Sequence, residues 1–365
     1  MTEISHPTVL REPIDGPTVW RSGDLERNPT WRYRLGEDEI GDLEHALAHC
    51  RATGKPTTAL ERDDFPLSVL APRIASWMLA LERGRGFQNV CGLPIDRWSA
   101  DDRERIFFGL GTHLGTAVSQ NAAGDLLSHV RDTGANAANR GVRLYKTNVE
   151  LGYHSDGSDI AVLFCLRPAL FGGSNRLVSC SALYNEFQRR RPDLIDVLYR
   201  PFSWDRNDEQ APGEPPHFDL PICSYVGGHF RMFYIGWYIR HAQRHHEVPR
   251  LSADQVQALD LIDEIAAEPE MHFEFRLEPG EINFLKNSAA LHMRTAFGDE
   301  SGASERRHLL RLWLTAHGQW ADHDAFVSQG IPRKAGTRSD ADELTQTIER
   351  EDPARQGKED PCASN

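Results

Sequence analysis

The stretch that decides the fold is Tyr153-His154-Ser155-Asp156-Gly157-Ser158-Asp159, followed by Ile160-Ala161-Val162-Leu163-Phe164-Cys165-Leu166 and closed by Arg167-Pro168. The apolar run is short, branched and aromatic, the signature of a buried β-strand. Side chains alternate across a strand, so His154 and Asp156 share one face if the strand extends back to them. Imidazole and carboxylate on one face are part of a metal site. A segment this short cannot wrap an ion, so a further ligand must come from distant sequence. The candidate is His292, in Phe284-Leu285-Lys286-Asn287-Ser288-Ala289-Ala290-Leu291-His292-Met293-Arg294-Thr295-Ala296-Phe297. Two histidines and one carboxylate leave three adjacent coordination positions open, as in non-haem Fe(II) oxygenases. Taken alone, a His-x-Asp pair is common by chance, and a lone histidine is more often structural. The rest of the chain has to decide.

The 365 residues suffice for a large buried core. A formal net charge of −13 argues against a nucleic-acid partner and against attraction to anionic lipid. No apolar run approaches the length of a bilayer span, and Met1 to Pro7 lacks a basic-then-apolar secretion signal. The six cysteines (Cys50, Cys91, Cys165, Cys180, Cys223, Cys362) are scattered, with no Cys-x-x-Cys spacing. Reduced thiols in a cytoplasmic protein are the expectation.

Outward from the central stretch, the N-terminal side reads as helical. Trp20 and Trp31 are expected to dock onto the domain. Glu37 to Arg51 carries an apolar stripe at Ile40, Leu43 and Leu47. Asp63-Asp64-Phe65-Pro66 reads as a helix start, and Ser99 as the N-cap of the helix running to Gly115. Gly86 to Pro94 reads as a strand. Ser119 to Arg140, holding Gln120, Asn121, His129, Arg131 and Asp132, reads as an irregular connection, either a substrate lid or a surface excursion.

On the C-terminal side, Ser174 to Ser179 reads as a strand and Ser181 to Arg190 as a helix. Asp205 to Phe218 reads as a loop. Gly227-Gly228 turns a hairpin between Leu220 to Val226 and His229 to Tyr234. His241, His245 and His246 sit among arginines and read as a solvated polar face. Ser252 and Gln255 form a capping box for the helix that Pro269 closes. Met271 to Leu277 alternates as a strand, and Glu281 to Leu285 reads as the strand that delivers His292. Arg307 to Leu314 is the last core strand. Helices early and strands late, without regular alternation, favour an α+β fold: a double-stranded β-helix (jelly roll) with flanking helices. One domain is expected over 1–330, with the jelly-roll core at about 143–318 and a helical part at about 37–118. Residues 333–365 read as a polar, disordered tail.

These residues resemble the TauD/TfdA family of Fe(II)- and 2-oxoglutarate-dependent dioxygenases, close to its clavaminate-synthase-like members. The pieces that carry the resemblance are Tyr153 to Asp159, Cys165-Leu166-Arg167-Pro168, Gly172-Gly173-Ser174-Asn175, Leu291 to Phe297 and Arg306 to Leu314, in this order. It spans about Trp20 to Ala316. The resemblance implies His154, Asp156 and His292 as iron ligands, with O2 and 2-oxoglutarate as co-substrates. It implies that Arg307 pairs with the distal carboxylate of 2-oxoglutarate, a match between a guanidinium fork and a carboxylate. Asn175 stands where the family often has Thr or Ser near that co-substrate, and its amide can donate instead. Met293 replaces a more usual small residue. Arg311 sits on an apolar strand, where a guanidinium is costly unless paired. It is a candidate for the co-substrate or for an anionic group of the substrate. Asp159 could meet a substrate amine or cap the strand.

The implied reaction is hydroxylation of an unactivated C–H bond of a small organic, anionic or amino-acid-like substrate, with release of succinate and CO2. Desaturation, cyclisation and epimerisation are the other outcomes of this chemistry. Retention of Asp156 disfavours halogenation. The family also forms dimers and tetramers, so a homo-oligomer is open. Two alternatives stand beside this reading. One is a metal-binding jelly roll, a sensor or cupin-like enzyme, that keeps the three ligands and does not need Arg307. The other is a purely structural domain.

Overall fold

The computed structural model describes residues 8–137, 139, 142–210, 213–299 and 306–317. Two antiparallel-rich sheets form the core. The larger runs Arg32–Arg34, Phe87–Cys91, Glu281–Lys286, Ile160–Arg167, His308–Ala316, Gly115–Ala117, with Leu127–Val130 also paired to His308–Ala316. The smaller runs His272–Phe275, Asn175–Ser179, Ala290–Arg294, Leu151–His154.

Alternation along the strands separates two apolar layers. Val162, Phe164, Ile282, Phe284, Leu310, Leu312 and Leu314 face the helices Glu37–Thr53, Ala71–Glu82 and Ala100–Thr112. Phe87 and Leu285 point the other way and meet Leu177, Phe273 and Ala290 of the smaller sheet, with Trp20 and Leu25 packed on them. Removing either fully buried ring, Phe164 or Phe284, to alanine is expected to cost about 3–5 kcal/mol. The helix Cys180–Arg190 and the capped helix Ala253–Ala267 cover the smaller sheet.

The helix caps follow local chemistry. Ser99 Oγ accepts from Asp102 N at 3.2 Å, and Ser252 Oγ accepts from Gln255 N at 3.1 Å. The helix expected from Asp63 begins instead at Ala71, after a 3-10 turn at Arg62–Asp64. Its start is held by the buried Asp42 carboxylate, which accepts from the backbone N–H groups of Ser68, Val69 and Leu70.

Several readings of the sequence are corrected. His154 and Ile160 do not lie on one strand: Leu151–His154 belongs to the smaller sheet and Ile160–Arg167 to the larger. The strand Glu281–Lys286 does not carry His292, which lies on the separate strand Ala290–Arg294 after a sheet change at Asn287 to Ala289. The Ser119 to Arg140 connection contains the strand Leu127–Val130, a Leu-Ser-His-Val alternation four residues long that turn-rich flanks obscured. Pro201–Asp205 pairs with His217–Pro221, so the expected loop is only the tip of a hairpin. The larger sheet includes Phe87–Cys91, within the strand read over Gly86 to Pro94, and also draws Gly115–Ala117 from the part read as helical. His245 is not solvated; its Nε2 lies 3.1 Å from the buried Asp205 carboxylate, whereas His246 is exposed. The stretch 333–365 lies outside the described residues.

Candidate metal centre and active site

His154 and His292 are direct cross-strand partners on Leu151–His154 and Ala290–Arg294. Partners of this kind project on the same face. Asp156 lies beyond the strand end, in the turn that crosses between sheets. Asn287 fixes that turn. Its Oδ1 accepts from Asp156 N at 2.9 Å, its Nδ2 donates to Ser158 O at 2.8 Å, and its own N donates to Asp159 O at 3.0 Å. Ser155 adds bonds to Asn287 O and, through its N–H, to Tyr234 O.

The result is a group of three: His154, Asp156 and His292, whose ligand-type atoms all lie within 4.8 Å of one another. His154 Nε2 is 3.7 Å from Asp156 Oδ1, and His292 Nε2 is 3.8 Å from Asp156 Oδ2. His154 Nδ1 lies 2.8 Å from Gly152 O. Donation to that carbonyl leaves Nε2 as a lone pair facing the centre, the tautomer a metal requires. Burial pushes both imidazoles down, His292 to about 3 with the neighbouring His154 adding to it, so both are neutral at neutral pH. Burial alone would raise the Asp156 carboxyl, but Arg311, then His292, His154 and the Trp313 N–H, hold it below its ordinary value. Neutral imidazoles and an ionised carboxylate are the forms that bind a divalent cation.

Arg307 is buried at the start of the last strand. Its side chain passes Gly173, where a Cβ would sit 3.3 Å from Arg307 Nε; Gly173 also has φ +69°. The glycine is therefore needed both for its backbone and for the close approach. Arg307 Nη1 has no partner, and burial lowers its pKa to about 10. Asn175 is buried with its Nδ2 unpaired. Arg294, cross-strand from Asn175, is a third buried donor here, with Nε and Nη1 unpaired. Burial and then the charge of Arg307 lower it to about 9. Both guanidinium carbons lie within 5.2 Å of the Phe297 ring centre. Buried donors without acceptors are costly, so this region suits an anion.

Arg311 projects to the interior, opposite to Leu310 and Leu312. Its Nε donates to Gln120 Oε1 at 2.8 Å, its Nη1 lies 3.7 Å from Asp156 Oδ1, and its Nη2 is unpaired. The guanidinium lies between the Tyr145 ring at 4.6 Å and the Trp313 ring at 4.8 Å. Trp313 Nε1 donates to Asp156 Oδ2 at 2.8 Å. Trp237 packs beside His154, ring centres 5.2 Å apart. Asp159 is buried, and its Oδ2 accepts from Ala316 N at 2.8 Å, which ties the turn to the last strand. Gln120, in the connection read as a lid or excursion, is fully buried and also donates to Leu126 O and Arg311 O. Trp313, Asn287 and Arg294 were not singled out from sequence. A period-two count along His308 to Ala316 assigns Arg311 and Trp313 to one face. Nothing local marks Asn287.

The profile of the family described as Taurine catabolism dioxygenase TauD, TfdA family matches residues 53–313. The chain is 33% identical over 315 residues to FR-33289 synthase of Streptomyces rubellomurinus, covering 84% of this chain and 91% of the relative. It is 30% identical over 296 residues to the taurine hydroxylase-like protein SAT17 of Stachybotrys chartarum, covering 76% of this chain and 73% of the relative. Among solved structures it is similar to asparagine oxygenase in complex with Fe(II), 2S,3S-3-hydroxyasparagine and succinate. There the TM-score is 0.59 at 16% identity, covering 78% of this chain and 94% of that one, a likeness of fold.

Proposed function

The chain belongs to the TauD/TfdA family of Fe(II)- and 2-oxoglutarate-dependent dioxygenases, and on that premise we propose that it hydroxylates an unactivated C–H bond of a small anionic or amino-acid-like molecule. Fe(II) is its cofactor, and 2-oxoglutarate and O2 are its co-substrates. In this reading His154, Asp156 and His292 hold the iron. The observation that carries it is that these three form the one such group of metal-ligating side chains among the described residues.

When bound, iron and 2-oxoglutarate supply O2 activation with release of succinate and CO2, and removal of a hydrogen atom from the substrate. The chain's own part is to bind, orient and exclude water. Arg307, with Asn175 beside it, receives the distal carboxylate of 2-oxoglutarate; their unpaired nitrogens support the assignment. Arg311 offers its unpaired Nη2 to an anionic group of the substrate, held in place by Gln120, Tyr145 and Trp313. Its distance from Asp156 supports a substrate role beside the metal over the co-substrate role also considered for it. Asp159 is committed to Ala316 N, which favours its structural role. The taurine in the family's description and the hydroxyasparagine bound to the asparagine oxygenase are both small charged molecules, which supports this substrate class. No helix among the described residues is long and apolar enough to cross a membrane, and the five described cysteines are free, which supports a cytoplasmic protein.

The test is anaerobic addition of Fe(II) and 2-oxoglutarate to metal-free protein, watching the visible charge-transfer band of chelated 2-oxoglutarate. The band should form in wild type and be absent in His154→Ala. Candidate substrates are then screened by their perturbation of the band. A folded, iron-loaded wild type without the band would remove the assignment of these residues.

A further inference from the structure

A two-histidine, one-carboxylate centre serves an oxygenase only if the carboxylate binds through one oxygen. Two imidazoles and one oxygen leave three positions of an octahedron, enough for a two-oxygen chelate and O2. A carboxylate can equally bind through both oxygens, which would leave two positions. Something in the protein has to decide between these modes.

Asp156 Oδ2 accepts the Trp313 indole N–H at 2.8 Å. Both side chains are buried, at 6% and 2% exposure, so no bulk water competes for the bond. An indole has a single donor and no acceptor, so Trp313 cannot exchange roles as a hydroxyl would. Arg311 lies over the ring at 4.8 Å, and the backbone of Gly157 passes close enough that an added Cβ would stand 3.5 Å from it. Asp156 Oδ1 receives no comparable donor: Arg311 Nη1 stands 3.7 Å away, beyond hydrogen-bond range. Oδ1 faces His154 Nε2 at 3.7 Å and Oδ2 faces His292 Nε2 at 3.8 Å, so the two oxygens differ in that Oδ2 alone already accepts a hydrogen bond.

We propose that Trp313 is a positioning residue that makes Asp156 a one-oxygen ligand, engaging Oδ2 through its indole N–H and leaving Oδ1 for the iron. This rests on the ligand assignment made above. By holding Arg311 against its ring, the same side chain also sets the substrate's anion site at a fixed distance from that ligand.

The experiment uses the full chain, anaerobic and loaded with Fe(II), as wild type, as Trp313→Phe, and with benzothienylalanine at position 313. The last keeps the ring volume and lacks the N–H, which separates the hydrogen bond from packing. The readouts are the coordination number of Fe(II) by near-infrared magnetic circular dichroism and the 2-oxoglutarate affinity from the charge-transfer band. Both replacements should retain Fe(II) and bind 2-oxoglutarate roughly 10- to 100-fold more weakly, the effect of losing a hydrogen bond to a charged group. Addition of 2-oxoglutarate should then leave no iron position for water or O2, where wild type keeps one. Affinity and coordination number unchanged with the benzothienyl residue would overturn the proposal. So would loss of affinity in Trp313→Phe alone, since that marks a packing role. Absence of the band in wild type is a different failure: it removes the iron-site reading and this inference with it.

Discussion

His154 and His292 face each other across two antiparallel strands, with ring centres 4.1 Å apart. Two imidazoles at this distance, both buried, would repel if charged. Burial keeps them neutral, His292 down to about 3. In the proposed reading this pair, completed by Asp156, is a preformed divalent-cation site. Fe(II) or Co(II) should therefore stabilise the folded protein. At a hundredfold excess over the dissociation constant the gain is about 2.7 kcal/mol, and a thermal midpoint rising by about 2–4 °C per kcal/mol would show it. His292→Ala should abolish that rise. An equal rise in wild type and variant would place the metal elsewhere.

Asn287 bridges the sheets at the point where His154, Asp156 and His292 converge. Its side chain accepts from Asp156 N and donates to Ser158 O, and both bonds are buried. Asn287→Ala strips these partners at once and leaves polar backbone buried. The expected cost is about 2–4 kcal/mol of stability, with Fe(II) affinity down by about tenfold or more. Denaturant unfolding and metal titration check the two halves separately. Lost stability with unchanged metal affinity would show that Asn287 supports the fold without aiming Asp156.

Much of this cluster is legible in the sequence. The His-x-Asp spacing, the distant His292 and the arginine-bearing strand each have a local pattern that sequence displays. The jelly roll followed from early helices and late strands. What was hidden depended on the sheet change. Glu281 to Leu285 reads as the strand that delivers His292, yet Asn287 to Ala289 carries the chain from one sheet to the other. Only that crossing gives Asn287 its four partners. Leu127–Val130 was hidden for a similar reason: its pairing with His308–Ala316 is set by tertiary contact, and four residues give periodicity little to work on. The Arg62–Asp64 turn misled because helix-start chemistry was present, but the cap came from Asp42, distant in sequence.

Arg307 carries a stability cost that a ligand should relieve. It is buried beside Arg294, with Nη1 unpaired and a pKa lowered to about 10, first by burial. An uncompensated buried charge destabilises, and an apolar replacement of similar length often does not. Arg307→Met should leave the cofactor-free protein at least as stable as wild type, by thermal unfolding. Addition of 2-oxoglutarate with metal should raise the wild-type midpoint and leave the variant unmoved. If 2-oxoglutarate stabilises both equally, the distal carboxylate is held by other residues.

His308 gives the fold a defined acid sensitivity. Its Nε2 lies 2.8 Å from His129 Nδ1, and burial, then the charges of His129, Arg131 and Arg167, lower its pKa from 6.5 to about 4. In the unfolded chain it keeps the ordinary histidine value. Between these two values the unfolded state binds a proton that the folded state refuses, so stability rises with pH across this window and is lost as pH falls from about 6.5 towards 4. Above the window neither state is protonated, and below it both are, so this group's contribution is flat there. His308→Gln keeps a polar side chain beside His129 and removes the titration. The thermal midpoint of wild type should therefore fall more between pH 7.5 and pH 5, both pH values taken as about one unit beyond and within the window, than that of the variant. Equal falls would show that His308 accepts its proton in the folded state as readily as in the unfolded one.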